Sequence, residues 1–303
     1  MTTSTITNGC SVTDPVAKAW DRAAEGWSQS TPIIHAWLHR ATAAMVSEAR
    51  LRRGARVLEL AAGAGDQTKD IALAVGPAGH VLATDISPKI LDFARERIEA
   101  AGLANVRFDV ADAEQPVHAE APFDAVMCRL GLMFCMNPAA ALAAAFSVLR
   151  PGGRFVALVF GDPADNPCIT TMMRVARKHR GLTGSVSPYA DGGLFSLAAP
   201  GRLASLLAAA GFAEIATQSV AAPFECPDAA AYVAFVRSSG SPIMEVLAPL
   251  DAKARELAWQ EMVEALEQFQ CDGGWRGPNA LLLGSATRAA SVTIDRALVR
   301  RRS

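Results

Sequence analysis

The sequence predicts an α/β protein built on a doubly wound, mostly parallel sheet. Three observations lead there. From Arg56 onward, short apolar runs alternate with helical patterns, as they do where crossover helices join parallel strands. Five such units follow one another between Arg56 and Phe160, the open doubly wound arrangement. A chain of 303 residues that is 51% hydrophobic can bury a large core.

The elements read off in order. The first strand-like run is RVLELA, followed by the loop AGAGDQT and a helical pattern from Asp66 to about Val75, closed by Gly76-Pro77. The second run, HVLATDI, stops at Asp85. The next helix has Ser87 as N-cap, Pro88 at its first position and Gly102 just past its end. Its apolar face is Ile90, Leu91, Ala94 and Ile98, at helical spacing. VRFDV is the third run, ending at Ala111-Asp112-Ala113, and FDAVMCRLGLMF is the fourth. A helix from Pro138 to about Leu149 leads through Pro151-Gly152-Gly153 to the fifth run, RFVALVF.

The flanks are mostly helical. Residues 1–50 read as an N-terminal helical lid, with AWDRAAEGW and HAWLHRATAAMVSEA both periodic, and 51–160 as the core. Residues 161–199, rich in Gly, Pro, Ser and Asp around TTMMRVARKHR, form a cap insertion over the substrate. Residues 200–290 return to the core: a helix over 200–212 ending in Gly211, a strand from Glu214 to Glu225, and a short last strand, Ala280–Gly284. Within them, 228–270 is a helical insertion with a long run from Asp251 to Gln270, and 291–303 is a frayed basic tail.

Composition narrows the function. The 29 Lys+Arg balance 30 Asp+Glu, so the clustered basic excess that grips a phosphate backbone is missing and nucleic acid is disfavoured as a partner. The N-terminus has no basic region and no apolar run, so no secretory signal is expected. The uncharged stretch Leu130–Leu149 is broken by Gly131, Asn137 and Pro138, which reads as a loop and a helix rather than a membrane span. The six cysteines, Cys10 among them, show no C-x-x-C spacing; reduced thiols in a cytoplasmic protein follow, and no metal site. His35 and His39 lie four apart, but HAWLH lacks the glutamate of a zinc protease, and a structural role is the expectation.

In open parallel sheets the ligand lies outside the carboxyl ends of the strands. Four loops converge on that edge here. Gly63 and Gly65 let backbone approach a ligand at a helix N-terminus. Asp85, at the end of the second strand, is placed to accept from ribose hydroxyls. Asp112 can accept from an exocyclic amine, and Ala113 offers a backbone N–H. A nucleoside fits. The dinucleotide fingerprint would want a small residue where Thr68 stands, and Glu59 repels a pyrophosphate while attracting an ammonium. The expected ligand is a nucleoside carrying an amino-acid tail, a description that S-adenosylmethionine (SAM) matches.

The ExxxGxG run from Glu59, Asp85, Asp112-Ala113, FDAVMCRLGL and LRPGGRF together resemble a class I SAM-dependent methyltransferase. The likeness is nearest to the broad ubiquinone/menaquinone C-methyltransferase-like group. It covers about Arg56 to Phe160, with a weaker echo in AAGF at 209–212. The resemblance implies a Rossmann-like sheet of seven strands whose last strand, supplied by Ala280–Gly284, is antiparallel. It implies that Glu59 and the Gly63–Gly65 backbone contact the methionyl end, with Ala61 and Gln67 in the same cofactor-binding set. Asp85 would hold the ribose and Ile86 pack on the adenine, with Asp112 and Ala113 on the adenine edge and Arg129 and Leu130 bordering the sulfonium. Ala61 departs from the pattern, since many members have glycine there. Arg129 has a structural alternative, pairing with Asp124 or Glu59.

The expected activity is methyl transfer from SAM, leaving S-adenosylhomocysteine, to a small hydrophobic metabolite on O or C of an aromatic or polyketide-like acceptor. A prenyl diphosphate methylated on carbon is the alternative. From other classes stand a NAD-dependent oxidoreductase and a non-catalytic SAM-binding protein. Arg174, Arg177, Lys178, His179 and Arg180 read either as a solvated helix face or as an anion clamp in the cap. Met172, Met173, Phe195 and Phe224 supply either an apolar pocket or ordinary core, and Trp20 and Trp27 either a lid or packing. His35, Glu25, Tyr189 and His179 are unranked candidates for a general base, so no catalytic residue is assigned. Oligomeric state is not legible.

Overall fold

The computed structural model describes residues 15–115, 117–184, 186–239 and 242–289. The tail expected over 291–303, Cys10 and the start of the expected lid lie outside the described residues. Two helices, α1 (Pro15–Gln29) and α2 (Thr31–Glu48), precede the sheet. Then β1 (Arg56–Leu60), α3 (Asp66–Val75), β2 (His80–Asp85), α4 (Pro88–Ala100) and β3 (Val106–Val110) alternate. They are followed by β4 (Phe123–Arg129), α5 (Pro138–Val148), β5 (Leu149–Phe160) and α6 (Pro167–His179). The chain closes with α7 (Arg202–Ala209), β6 (Phe212–Ala221), β7 (Phe224–Cys226), α8 (Ala229–Ser238), α9 (Pro242–Leu247), α10 (Ala252–Leu266), β8 (Gln270–Cys271), β9 (Gly274–Gly277) and β10 (Ala280–Arg288).

Caps punctuate the helices where the side chains allow. Ser87 accepts from the Ile90 N–H at 3.1 Å to start α4, Asn137 from the Ala140 N–H at 3.1 Å to start α5, and Asp251 from the Ala254 N–H at 2.8 Å to start α10. Each sits before a helix whose apolar face closes onto the sheet or its neighbour.

The main sheet has seven strands in the order β3-β2-β1-β4-β5-β10-β6. The first five run parallel, and β10 is inserted antiparallel between β5 and β6. This is the expected Rossmann-like, doubly wound and mostly parallel sheet. Strand order reverses between β1 and β4, which marks the ligand edge. Central strands β1, β2, β4 and β5 are nearly all buried, because helices cover both faces.

A second apolar cluster joins α6, α8, α9 and α10 to a small sheet in the order β7-β9-β8. Trp275 of β9 is fully buried there, stacked on Tyr232 at 4.7 Å between ring centroids and donating its indole N–H to Leu266 O at 2.7 Å.

Three expectations about elements need correction, and two short strands carried no sequence signal. The strand expected over Glu214–Glu225 is two strands, because Pro223 cannot donate to a ladder and the chain turns into the small sheet there. The last strand continues past Gly284 to Arg288: its polar end is held on both sides, with Ser285 Oγ donating to Glu48 and Thr287 Oγ1 to Glu214. The long helix ends at Leu266 rather than Gln270, followed by one tight turn. Strands β8 and β9 carry too few residues to leave a periodic signal, and Gly273 and Gly274 make their turn.

Candidate functional site

A cavity of about 980 Å³ opens at the carboxyl ends of β1, β2 and β4. Eight of the eleven expected cofactor residues line it: Ala61, Gly63, Asp85, Ile86, Asp112, Ala113, Arg129 and Leu130. Glu59, Gly65 and Gln67 do not; Glu59 and Gln67 are buried beside the loop after β1.

That loop is a tight turn. Ala61, Gly63 and Gly65 take φ values of 53°, 57° and 84°, all left-handed. The turn aims the Gly63 N–H at Asp85 Oδ2, 3.0 Å away, and Asp85 Oδ1 accepts from the Ser87 N–H at 3.0 Å. Asp85 is 8% exposed. Burial pushes its carboxyl upward, while these N–H groups and that of Ile86 pull it back. The carboxylate therefore joins the glycine loop to the start of α4 while still lining the cavity.

The two glycines are needed for different reasons. A Cβ on Gly63 would stand 3.1 Å from Nε1 of Trp27, so glycine there lets α1 close over the loop. A Cβ on Gly65 would stand 3.0 Å from the Cβ of Ala94, so that glycine serves the packing of α3 on α4. Helix α1 is tied down by Asp21, whose Oδ1 accepts from Ser87 Oγ at 2.5 Å. Trp20 meets Trp27 and Phe134 edge-on at 6.1 and 5.5 Å. Both tryptophans line the cavity as well.

Beside the loop lies a buried polar layer. Glu59 is 1% exposed, and burial pushes its carboxyl up to about 8. Its Oε2 and both amide atoms of Gln67 have no hydrogen-bond partner among the described residues, while the Thr68 hydroxyl beside Glu59 pulls its carboxyl part of the way back. Arg129 sits at the border of this layer. Its Nη2 donates to both oxygens of Asp66 at 2.7 and 2.6 Å, and its Nη1 to Thr42 Oγ1 at 2.8 Å. The partner is thus neither Asp124 nor Glu59. Asp124 instead accepts from Arg150 Nε at 2.6 Å and from the Arg56 N–H.

After β3, Asp112 Oδ1 accepts from the Glu114 N–H at 2.9 Å, and Glu114 Oε1 from the Asn137 N–H at 3.0 Å. At the far end, Trp37, Phe160, Phe195, Phe224 and Phe235 wall an aromatic chamber continuous with the space beside Asp85 and the glycine loop. Trp37 packs on Phe160, Phe224 and Phe235 with centroids 5.5 to 6.3 Å apart. Phe195 and Phe224 are thus both core and chamber wall, and Met173 lines the cavity while Met172 is core. Trp37, Phe160 and Phe235 escaped sequence reading, because isolated aromatics in α2, β5 and α8 look like ordinary core.

None of the four candidate bases, His35, Glu25, Tyr189 and His179, lines the cavity. His179 Nε2 is bonded to Glu261 at 2.9 Å and the Tyr189 hydroxyl to Asp162 at 3.3 Å. His39 Nδ1 lies 2.7 Å from Ala36 O, and no metal-holding cluster of His, Cys, Asp or Glu occurs among the described residues. No described helix is long and apolar enough to cross a membrane.

The sheet order and the site together define a Rossmann-like methyltransferase fold. Residues 57–153 match the family described as a methyltransferase domain. The ubiquinone/menaquinone biosynthesis C-methyltransferase UbiE of Ectopseudomonas mendocina is 35% identical over 158 residues, 52% of this chain and 61% of the relative. The chain thus spans about three-fifths of the length of this curated relative. The resemblance read from the motifs is borne out.

Two solved structures share the fold. A Haemonchus contortus phosphoethanolamine N-methyltransferase 2 in complex with S-adenosylhomocysteine superimposes with a TM-score of 0.56 at 14% identity, over 90% of this chain and 60% of that one. The cyclase SpnF does so with a TM-score of 0.54 at 17% identity, over 91% of this chain and 96% of that one. At such identities the likeness speaks for the fold alone.

Proposed function

We propose that the protein transfers a methyl group from SAM to a small, apolar acceptor. The observation that carries this reading is the continuity of one cavity, from Asp85 and the glycine loop to the aromatic chamber. A nucleoside end and an apolar end share one space, with Arg129 and Leu130 between them.

The residues fit the expected cofactor. The orphaned Oε2 of Glu59 and the orphaned amide of Gln67 are buried polar groups beside the turn where an amino-acid tail would lie. A carboxyl held near 8 by burial ionises when an ammonium comes to it. Asp85 is the acceptor for ribose hydroxyls, Ile86 the apolar face for the base, and Asp112 with Ala113 the polar edge. Gly63 and Gly65 belong to the turn, and Ala61 shapes its wall.

The sulfonium of SAM supplies an activated methyl group, so the chain has little chemistry of its own to perform. Its task is alignment. Trp20, Trp27 and Phe134 exclude water on one side and the aromatic chamber holds the acceptor on the other. With none of the four candidate bases on the cavity wall, the reading favours an acceptor whose nucleophilic atom needs no strong base. Aromatic carbon or a phenol-like oxygen suits this. An NAD-dependent oxidoreductase is disfavoured by Glu59 and Thr68 behind the turn.

Incubation of the purified protein with SAM and a panel of aromatic and polyketide-like acceptors tests the proposal. S-adenosylhomocysteine formed in proportion to a methylated product is the expected result. No turnover with any acceptor, despite binding of S-adenosylhomocysteine, would leave a non-catalytic SAM-binding protein.

A further inference from the structure

We infer that the acceptor is an amphiphile whose acidic group binds Arg174 and Arg177 while its apolar body fills the aromatic chamber. This rests on the methyl-transfer reading and names its substrate class. The shared chemistry is a carboxylate or phosphoryl group on an apolar body, which includes the prenyl diphosphate among the expected acceptors.

One face of α6 lines the cavity: Ile169, Thr170, Met173, Arg174, Arg177 and Lys178. These positions recur three and four residues apart, as one helical stripe must. At about 1.5 Å per residue, the stripe climbs roughly 12 Å from Ile169 to Arg177. It starts apolar and ends cationic.

The basic residues of this helix are not equivalent. Lys178 Nζ and His179 Nε2 both bind Glu261, at 2.8 and 2.9 Å. They tie α6 to α10 and hold the Glu261 carboxyl below its ordinary range. Arg180 does not line the cavity. Arg177 Nη2 donates to Gly184 O at 3.1 Å, which leaves most of its N–H groups unused. No ion pair or side-chain hydrogen bond engages Arg174 among the described residues. The clamp read from five sequence neighbours therefore narrows to two.

Charge is also divided along the cavity. The carboxylates that line it, Asp85, Asp112 and Glu114, all stand at the nucleoside end and accept backbone N–H groups there. Arg129 is consumed by Asp66 and Thr42. At the α6 end Arg174, which is exposed, and the half-buried Arg177 line a largely apolar space with no carboxylate of the cavity wall beside them. A carboxylate or phosphoryl oxygen accepting from an arginine fork is the contact that such groups favour.

Trp20, Trp27 and Trp37 line the cavity, so intrinsic fluorescence reports its occupancy. The full chain, saturated with S-adenosylhomocysteine, is titrated with dodecanoate, dodecyl phosphate and dodecanol below their micellar concentrations. At least one acidic probe is expected to bind ten times more tightly than dodecanol, and which acid binds better tells carboxylate from phosphoryl. The double variant R174Q/R177Q should erase that preference while dodecanol affinity stays within twofold. K178Q, whose ammonium is held by Glu261, should retain it. Equal affinity for all three probes, no saturable binding of either acid, or a preference that survives R174Q/R177Q overturns the inference. S-adenosylhomocysteine titrated alone separates the two readings: its failure to bind contradicts the cofactor assignment, whereas its binding without acid preference contradicts only the acceptor class.

Discussion

The methyl group of Ala61 occupies the space that Gly131 leaves open. A Cβ built on Gly131 would lie 2.3 Å from the Cβ of Ala61, far inside contact distance. Ala61 holds a left-handed φ of 53°, where a side chain costs roughly 1–2 kcal/mol. The turn after β1 and the turn after β4 are thus fitted to one another at the centre of the ligand edge. The departure from the family's glycine at position 61 is accommodated across the strands.

Gly131→Ala should therefore destabilise the fold by about 1–3 kcal/mol through overpacking. Ala61→Gly should be nearly neutral or stabilising, and the double variant should recover most of the loss. Urea unfolding of the four proteins in a double-mutant cycle measures the coupling, and additive effects would contradict the fitted contact.

Asp85 accepts two backbone N–H groups and lines the cavity. Asp85→Ala should weaken S-adenosylhomocysteine binding by about 1–3 kcal/mol, a 5- to 150-fold rise in Kd. Asp85→Asn keeps one accepting oxygen and should fall between. An unchanged Kd in the alanine variant would remove the ribose assignment.

Glu59 gives a pH signature. Its ordinary value is 4.5 and its folded value about 8, so the folded chain keeps a proton that the unfolded chain loses. The stability this brings is full below 4.5 and is lost as pH rises through about 8. The urea midpoint of the ligand-free protein should fall across that window, and less so in Glu59→Gln. An ammonium favours the ionised carboxyl, so cofactor binding at pH 7 should release a proton. Calorimetry in buffers of different ionisation enthalpy reads that release directly. Its persistence in Glu59→Gln would assign the proton elsewhere.

The Asp66–Arg129 pair is buried on both sides, at 3% and 8% side-chain exposure. Removing one partner leaves an uncompensated charge. Asp66→Ala should cost about 3–5 kcal/mol of stability. A loss below 1 kcal/mol in the same unfolding assay would mean that water reaches Arg129.

Much of the sheet was legible because each βα unit carries its own local signs. Ser87-Pro88 and Gly102 bracket α4, and Asp85 ends a run of buried residues. What pairs over long range was not. Asp66 and Arg129 are 63 residues apart and Thr42 and Arg129 87 apart, and no periodicity reports such distances. Asp21 likewise reaches Ser87 across 66 residues to fasten α1. The glycine loop was legible, but the packing of Gly65 against Ala94 was not, because α3 and α4 meet only in the folded chain. The aromatic chamber stayed hidden because Trp37, Phe160 and Phe235 converge from α2, β5 and α8, each a residue that core packing alone would justify.

The central claim is that one cavity holds a nucleoside with an amino-acid tail. Calorimetric titration of the purified chain with S-adenosylhomocysteine, with NAD as the control ligand, tests it most directly. Saturable micromolar binding of S-adenosylhomocysteine, weakened in Asp85→Ala, and no binding of NAD is the predicted result. Binding of NAD alone, or of neither ligand, would contradict the account.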